Sequence, residues 1–238
     1  GCIIATTWSG KGVLSEQHPQ WLWCGIGAAL PPSLREITAD ADACLIIGAR
    51  LSEAATAHYR MQLPALTAHV DVDAQVLQSV VEVPYAVCAD SELFLKRMIA
   101  KIRQKGIGNL PHDTLEWHER LRAAHSSITT QLDEQATGLT PTAALLAKSL
   151  QRQCSEETIF CTDSGNGTPL FAERLRVKRP RLFHCPSDYS SMGYSVPAAF
   201  GAAVASRHLA VSLVGDGALM QTGAELRAAV LAREPLLV

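Results

Sequence analysis

Short apolar runs alternate with segments of helical periodicity along most of the chain. The apolar runs, bounded by turn or polar residues, predict strands at Cys2–Ala5, Ala43–Ile47, Ala68–Val72, Tyr85–Cys88, Thr158–Cys161, Leu182–His184, Leu209–Val214 and Leu236–Val238. The periodic segments predict helices at Pro32–Ala39, Ala74–Val81, Ser91–Arg103, Asp113–Gln135, from Thr140-Pro141 to about Cys154, at Met192–Ser206 and at Leu219–Arg233. Strands that alternate with helices indicate an α/β fold with parallel, doubly wound sheets.

The alternation is interrupted in the middle of the chain. Gln104–His112 contains two glycines and a proline and few large apolar residues, as is typical of a linker, and Asp113–Gln135 is strongly polar. A length of 238 residues is enough for two ordinary domains. We therefore expect a first domain at 1–104, a linker and surface helix at 105–140, and a second domain at 141–238.

Composition and charge narrow the class of protein. With 47% hydrophobic and 18% charged residues, the chain is too apolar for a disordered protein. Lys and Arg number 21 against 23 Asp and Glu, so the basic excess that nucleic-acid-binding proteins carry is missing. The longest uncharged apolar stretch, Val196–Ala205, is much shorter than the roughly 20 residues that a membrane span needs. We expect neither a nucleic-acid partner nor a membrane partner.

Seven cysteines are spread along the chain without a Cys-x-x-Cys pair. An odd number of cysteines at wide spacing disfavours a disulfide framework or a structural zinc site. Buried thiols in a reducing compartment account for them more simply, and we therefore expect a cytoplasmic protein.

The turn Gly215-Asp216-Gly217-Ala218 lies directly between an apolar predicted strand and a predicted helix. In open parallel sheets, ligands bind beyond the carboxyl ends of the strands. Glycines let a ligand approach the backbone, the N–H groups at a helix start attract anions, and an Asp carboxylate can hold Mg²⁺. Taken alone, such a turn is more often an ordinary strand-to-helix connection.

Two further segments combine small and polar residues near strand ends. Thr162–Thr168 follows a predicted strand, and Ser190–Ala203 is a loop followed by a helix rich in Ala and Gly. Taken alone, the first is typical of a turn and the second of tight helix packing. Because parallel strands of one sheet end at the same edge, all three segments are expected to converge there.

Along the chain the three segments are Thr162–Thr168, Ser190–Ala203 and Gly215–Ala218. Together they closely resemble the diphosphate-binding domain of thiamine diphosphate (ThDP) enzymes. The first half of the chain resembles the central domain of the acetolactate synthase-like branch of that family, at residues 5–19 (ATTWSGKGVLSEQHP), 41–53 (ADACLIIGARLSE) and 66–74 (LTAHVDVDA). The resemblance implies two doubly wound parallel-sheet domains, a Rossmann-like central domain and a ThDP diphosphate-binding domain. It also implies that the family's fold is truncated here at both ends, so that the second domain is incomplete at its C-terminus.

The resemblance also implies site residues, position by position. Asp216 matches the family's acidic Mg²⁺ ligand, and Met192 matches the apolar residue that props the bent cofactor. The residues that the resemblance places against ThDP are Gly167, Thr168, Ser191, Met192, Gly193, Gly215, Asp216, Gly217 and Ala218. Ala218 stands where many members have Ser, and Gly167-Thr168 stands where acetolactate synthases often have His-Gln. The second departure weakens an assignment to true acetolactate synthase.

The implied activity is decarboxylation of a 2-keto acid with ThDP and Mg²⁺, followed by transfer of the acyl carbanion to a second carbonyl compound. The alternatives are a simple 2-keto acid decarboxylase and a non-catalytic nucleotide-binding or structural subunit. Family members activate ThDP with a Glu from another domain, usually of a neighbouring subunit, and use an Asn as a second metal ligand. Both are expected outside residues 1–238, so no catalytic residue is assigned and this piece alone is expected to be inactive. The complete protein is expected to be a homodimer or homotetramer.

Two glycine-containing segments bear on nucleotide cofactors. Some relatives bind FAD around a Gly-x-Arg segment, but Gly48-Ala49-Arg50 is followed here by Leu51-Ser52-Glu53. These are not the acidic and basic residues typical of FAD-binding members, which argues against FAD. Gly25–Leu30 faintly resembles a dinucleotide-binding loop, but it ends in Leu and no strand is predicted before it, so we interpret it as an ordinary loop.

Overall fold

The computed structural model describes residues 2–27, 30–56, 58–107, 114–137 and 142–238 of the chain. Its strands are β1 (Ile4–Thr6), β2 (Trp21–Cys24), β3 (Ala43–Ile47), β4 (Leu66–Asp71), β5 (Tyr85–Cys88), β6 (Ile159–Thr162), β7 (Phe183–His184), β8 (Ala210–Leu213) and β9 (Leu236–Leu237). Its α-helices are α1 (Pro32–Ala39), α2 (Ser91–Gln104), α3 (Thr114–Gln135), α4 (Ala143–Gln153), α5 (Gly167–Arg174), α6 (Ser195–Ser206), α7 (Asp216–Thr222) and α8 (Glu225–Ala232). Within this described part every strand pairing is parallel, which confirms the predicted α/β class.

The first of two compact units comprises residues 1–3 and 26–125. It contains a three-stranded sheet in the order β3-β4-β5. In the β3-β4 ladder Ala43 lies opposite Leu66 and Ile47 lies opposite Val70. The core of this unit includes the fully buried side chains of Leu34 in α1 and Val70 in the central strand.

Helix α2 of the first unit has strong signals at both ends. The Asp90 Oδ1 atom accepts a hydrogen bond from the Leu93 backbone N–H at 2.9 Å and so caps the helix start. Glu92 lies in the first turn, and Lys101 and Arg103 lie in the last turn, which complements the helix dipole at each end. These signals explain why the predicted helix Ser91–Arg103 is observed with nearly the same bounds.

The second compact unit comprises residues 4–25 and 126–238. Its larger sheet has the strand order β7-β6-β8-β9, and a smaller sheet pairs β1 with β2. Helix α6 packs on β6 and β8 and buries Val196, Ala199 and Ala203. Because these side chains are small, the helix can lie close to the two strands whose ends carry the candidate site.

A buried ion pair in the second unit joins the connection between β1 and β2 to the segment after α5. Lys11 Nζ lies 2.5 Å from Glu16 Oε1, and both side chains are fully buried. The other carboxylate oxygen of Glu16 accepts a hydrogen bond from the Val177 backbone N–H at 3.1 Å. Each charge is therefore compensated by a partner within the core, as a buried ion pair requires.

Strand β2 corrects the sequence prediction, which placed no strand before Gly25. All four residues of β2 are buried, and they pair in parallel with β1. The Arg176 guanidinium carbon lies 4.7 Å from the ring centroid of Trp21 and 4.4 Å from that of Trp23, and burial lowers the pKa of Arg176. Contacts between such distant parts of the sequence leave no local signal. Within Gly25–Leu30, residues 28 and 29 lie outside the described residues.

The predicted helix at Ala74–Val81 is wrong, because this segment forms turns. Asp73 Oδ1 accepts a hydrogen bond from the Gln75 backbone N–H at 2.9 Å, an arrangement that favours a turn over a helix. Gln78 then has a φ of +63°, which a right-handed helix does not allow.

The predicted helix at Leu219–Arg233 is two helices, α7 and α8, which are interrupted at Gly223 and Ala224. The sequence pattern does not predict helix α5. It begins with Gly167, a poor helix former, and is only eight residues long, so the segment carries little helical periodicity.

Several predictions concern positions that the structure describes only in part. The predicted linker Gln104–His112 and the start of the predicted helix Asp113–Gln135 include residues 108–113, which lie outside the described residues. Thr140 and Pro141 lie outside the described residues, and α4 begins at Ala143 with Thr142 as its N-cap. The compact units group the residues differently from the boundaries expected at 104 and 140, which stay a prediction. Among the helices that the structure describes, none is both long enough and apolar enough to span a membrane.

Candidate functional site

The loops after β6 and β8 lie side by side in the second unit. Thr162, the last residue of β6, is paired with Leu213, the last residue of β8, so both loops begin at the same edge of the sheet. A cavity of about 490 Å³ opens at this edge. It is lined by Leu146, Leu150, Asp163, Ser164, Asn166, Gly167, Phe171, Val211, Ser212, Leu213, Val214, Gly215, Leu237 and Val238. The predicted convergence of the segments Thr162–Thr168 and Gly215–Ala218 is therefore confirmed.

Three glycines leave the backbone around the cavity open. A Cβ atom built on Gly165, Gly167 or Gly215 would meet no heavy atom within 4 Å. Gly167 is the first residue of α5, and the residue before it, Asn166, makes no side-chain cap to the helix. The first backbone N–H groups of this helix are thus available to an anionic ligand in the cavity.

Asp216 is exposed and is the first residue of α7, directly after the cavity-lining Gly215, although Asp216 itself is not among the residues that line the cavity. Among the described residues no group of three or more His, Cys, Asp or Glu side chains is arranged to hold a metal ion. A cation at Asp216 would need further oxygen ligands from a bound molecule or from water. Mg²⁺ is commonly bound in this way, by one or two carboxylates and the phosphates of a ligand.

The segment Ser190–Ala203 also reaches the Gly215–Ala218 turn. Met192 lies in the loop before α6, which begins only at Ser195 and not at Met192 as the sequence predicts. A Cβ atom built on Gly217 would lie 3.2 Å from the Met192 Cε atom, so the Met192 side chain lies against the Gly217 backbone. Ser191 beside it is exposed. The structure thus brings Met192 to the Gly215–Ala218 turn.

Gly193 is packed tightly against α7. Its φ of +85° is in the left-handed region, and a Cβ atom built on it would lie 2.8 Å from the Thr222 Cγ2 atom. Both the backbone conformation and the space therefore require glycine at this position. Gly193 is a point at which the loop is fixed to the helix that carries Asp216.

Thr168 and Ala218 have buried side chains. The Thr168 hydroxyl donates a hydrogen bond to the Asp163 carbonyl oxygen at 2.8 Å and lies 2.8 Å from the Thr162 hydroxyl. Its hydrogen-bonding capacity is thus used inside the protein. Any contact of Thr168 or Ala218 with a ligand would be made by the backbone, so the predicted ligand contacts of these residues stay a prediction in that form.

Sequence reasoning assigned no role to Asp163, whose side chain is only 1% exposed. Its Oδ1 atom accepts hydrogen bonds from the backbone N–H groups of Ser164 and Gly193, both at 2.9 Å. Its Oδ2 atom accepts one from the Ser195 N–H at 2.8 Å and one from the Ser195 hydroxyl at 2.9 Å. The available signal was that Asp163 is the only charged residue between Glu157 and Glu173, directly after a buried strand.

Three cysteines of the second unit have raised pKa values. Burial raises the pKa of Cys161, in β6, and of Cys24, in β2, to about 12. Burial also raises the pKa of Cys185, which follows β7. Because the thiolate is the nucleophilic form of cysteine, these thiols are chemically quiet near neutral pH.

The arrangement fits a diphosphate with a divalent cation. Open glycine backbones and helix N–H groups suit phosphate oxygens, and the exposed carboxylate of Asp216 suits Mg²⁺. Apolar side chains such as Leu146, Phe171 and Leu237 line the rest of the cavity. This combination of a few polar groups and an apolar lining is typical of cofactor sites.

Two family sequence models match the chain. The model described as "Thiamine pyrophosphate enzyme, central domain" matches residues 1–98. The model described as "Thiamine pyrophosphate enzyme, C-terminal TPP binding domain" matches residues 163–238, which include the loops of the candidate site.

Curated relatives match nearly the whole chain at low identity. A probable acetolactate synthase large subunit of Methanococcus aeolicus is 26% identical over 94% of this chain and 39% of its own length. A sulfoacetaldehyde acetyltransferase of Castellaniella defragrans is 28% identical over 97% of this chain and 42% of its own length. A probable 2-ketoarginine decarboxylase of Pseudomonas aeruginosa is 26% identical over 95% of this chain and 38% of its own length. The chain spans about two fifths of the length of these relatives.

Proposed function

Because the chain belongs to the thiamine pyrophosphate enzyme family, in its acetolactate synthase-like branch, we propose that it is the cofactor-holding part of a ThDP- and Mg²⁺-dependent enzyme acting on a 2-keto acid. The observation that carries the proposal is the cavity at the ends of β6 and β8, with open backbone at Gly167 and Gly215. This cavity lies within the residues that match the TPP-binding model.

Each part of the diphosphate site has a proposed role. The first N–H groups of α5, from Gly167 and Thr168, and the backbone at Gly215 bind phosphate oxygens. The Asp216 carboxylate holds Mg²⁺, which neutralises the phosphate charge together with the helix dipole. The absence of a side chain at Gly217 leaves space for Met192 beside this turn.

Met192 and its neighbours have a proposed role in shaping the rest of the cofactor site. The Met192 side chain is half exposed although it is apolar, as expected of a residue that packs against a bound ring system. Ser191 beside it is exposed and would line the same surface, whereas the buried Gly193 would hold the loop against α7. ThDP, when bound, supplies the electron sink for decarboxylation of a 2-keto acid. The proton-transferring Glu is proposed to come from another domain, and no acid–base role is assigned to this chain.

The proposed reaction is decarboxylation followed by acyl transfer to a second carbonyl compound, as in an acetolactate synthase-like carboligase. Relatives named as an acetolactate synthase large subunit, a sulfoacetaldehyde acetyltransferase and a 2-ketoarginine decarboxylase match with similar identity, so simple decarboxylation is the second candidate. Gly167-Thr168 stands where acetolactate synthases often have His-Gln, which weakens an assignment to true acetolactate synthase. A transferase with a different acceptor is therefore our preferred form of the proposal.

Product analysis of the natural-length protein tests the reaction. The protein is incubated with ThDP, Mg²⁺ and ¹³C-labelled pyruvate, with and without a second keto acid or aldehyde, and the products are followed by NMR. Carboligation predicts labelled carbon dioxide together with a new carbon–carbon bond in the product. Free aldehyde alone would establish the second candidate. Absence of ThDP binding and of carbon dioxide release would refute both.

A pair of glycine variants tests the assigned site. Gly167 and Gly201 both lie in helices, and a Cβ atom built on either would meet no heavy atom within 4 Å. Only Gly167 lines the cavity. We expect Gly167→Ala to weaken ThDP binding in calorimetry by about tenfold, the effect of about 1.4 kcal/mol, and Gly201→Ala to leave it unchanged. Equal affinities of the two variants would remove Gly167 from the site.

The proposal also covers the oligomeric state of the protein and its cellular compartment. We propose a homodimer or homotetramer, because the family completes its site with a residue of a neighbouring subunit, and sedimentation of the natural-length protein checks it. The cytoplasm is proposed from the seven widely spaced free cysteines, which suit a reducing compartment.

A further inference from the structure

We propose that Asp163 is a positioning residue, whose carboxylate holds the loop Ser190–Tyr194 so that Met192 lies against the Gly215–Ala218 turn. The inference rests on the proposed function, since it concerns the same cofactor site. It assigns a role to a residue that the family resemblance did not single out.

The hydrogen bonds of Asp163 distinguish positioning from ligand binding. A carboxylate has about four acceptor positions on its two oxygens. In Asp163 all four are used, by the N–H groups of Ser164, Gly193 and Ser195 and by the Ser195 hydroxyl. Although Asp163 borders the cavity, its carboxylate therefore has no acceptor position left for a metal ion. Charge-assisted hydrogen bonds of this kind are about twice as strong as neutral ones and fix the groups that they join.

The loop before α6 needs such an anchor. Ser190 has a φ of +51°, in the left-handed region that is unfavourable for a residue with a Cβ atom. Tyr189, just before the loop, is 93% exposed, and Met192 is 52% exposed, so the loop gains little from apolar burial. The bonds from Asp163 to Gly193 and Ser195 bracket Tyr194 and fix the C-terminal side of the loop.

Gly193 also packs against α7, and this second contact extends the effect of Asp163 to the position of Met192. Gly193 is held by Asp163 on one side and packs against Thr222 of α7 on the other. Met192 directly precedes Gly193 and reaches Gly217, in the first turn of the same helix. Ser212 in β8 adds a further link, because its hydroxyl donates to the Ser195 hydroxyl at 3.0 Å. Asp163 thus connects β6, β8 and the loop that carries Met192.

A double-mutant cycle on the natural-length protein tests the inference. Asp163→Asn, Met192→Ala and the double variant are compared with the unmodified protein by calorimetry of ThDP with Mg²⁺, and the melting temperature is recorded for each. Asn retains one acceptor oxygen for the Ser164 and Gly193 N–H groups, so this variant is milder than Asp163→Ala. We expect Asp163→Asn to raise the Kd for ThDP at least about tenfold when Met192 is present and less than about threefold in the Met192→Ala background.

A second cycle with Glu16→Gln provides the matched control. Glu16 is another buried carboxylate of the same unit, and its partners are Lys11 and the Val177 backbone N–H. Its substitution should lower the melting temperature but change the Kd for ThDP equally with and without Met192.

The outcomes separate the inference from the proposed function. The inference is supported if the effects of Asp163→Asn and Met192→Ala on the Kd for ThDP are coupled while those of Glu16→Gln and Met192→Ala are additive. Additive effects of Asp163→Asn and Met192→Ala on Kd would overturn the inference, as would failure of both Asp163→Asn and Asp163→Ala to fold, because Asp163 would then serve stability alone. Absence of ThDP binding by the unmodified protein would instead refute the proposed function.

Discussion

Replacing Gly193 with alanine should destabilise the second unit more than replacing Gly165, although both glycines have left-handed backbone. Gly193 has a φ of +85° and Gly165 a φ of +88°. The difference lies in the space around them. A Cβ atom would lie 2.8 Å from the Thr222 Cγ2 atom at Gly193, and it would meet nothing within 4 Å at Gly165.

The expected losses of stability have two sources, the left-handed backbone and the overpacking against Thr222. An L-residue in the left-handed region costs about 1–2 kcal/mol, and both variants bear this cost. Overpacking in a tight site adds about 1–3 kcal/mol, which only Gly193→Ala bears. We therefore expect a loss of about 2–5 kcal/mol for Gly193→Ala and of about 1–2 kcal/mol for Gly165→Ala.

Urea denaturation of the variants measures these losses, and Thr222→Ser provides the rescue. Serine lacks the Cγ2 methyl group but keeps the hydroxyl, which donates to the Ala218 carbonyl oxygen. In the combination Gly193→Ala with Thr222→Ser the overpacking should disappear, and the loss relative to Thr222→Ser alone should equal that of Gly165→Ala. Equal losses for the two glycine variants, or no rescue by Thr222→Ser, would refute the reasoning.

Three further predictions concern stability. Glu16→Gln should cost about 3–5 kcal/mol in chemical denaturation, because it leaves Lys11 buried without its partner. Glu92→Gln, in the exposed pair with Lys96, should cost less than about 0.5 kcal/mol, and equal losses would contradict this contrast. Asp90→Ala should cost about 1 kcal/mol and speed hydrogen exchange at the Leu93 amide, and unchanged exchange there would refute its role as N-cap. Burial raises the pKa of Cys24 and Cys161 from 9.0 to about 12. As the pH rises, the unfolded chain therefore loses these thiol protons before the folded chain does. The stabilisation should be fully present below about pH 9 and should decrease as the pH rises towards 12. Denaturation over this range should show a smaller fall in a variant with alanine at both positions, and an identical fall would contradict the assignment.

The sequence predicted the parts of the fold that local patterns encode. β3 and β5 have the predicted bounds, because each is a short apolar run between turn residues. The convergence of the loops after β6 and β8 also followed from the sequence, because parallel strands end at one edge. Fold class and the neighbourhood of the candidate site were therefore accessible without coordinates.

The remaining features depend on contacts between distant residues. β2 is stabilised by pairing with β1 and by Arg176 stacked on its tryptophans, and no local periodicity records this. The bond between Asp163 and the Gly193 N–H joins residues 30 positions apart. A buried acid directly after a strand is the only trace of that bond in the sequence. The tight contact of Gly193 with Thr222 likewise needs the three-dimensional arrangement.

Magnesium-dependent binding of ThDP tests the central claim, that Asp216 holds the metal of a diphosphate site, most directly. Glu225, the first residue of α8, is an exposed acid of the same unit and provides the control. In calorimetry of the natural-length protein, Asp216→Ala should weaken binding of ThDP with Mg²⁺ at least about tenfold, while Glu225→Ala should bind like the unmodified protein. Equal affinities of the Asp216→Ala variant and the unmodified protein would contradict the account.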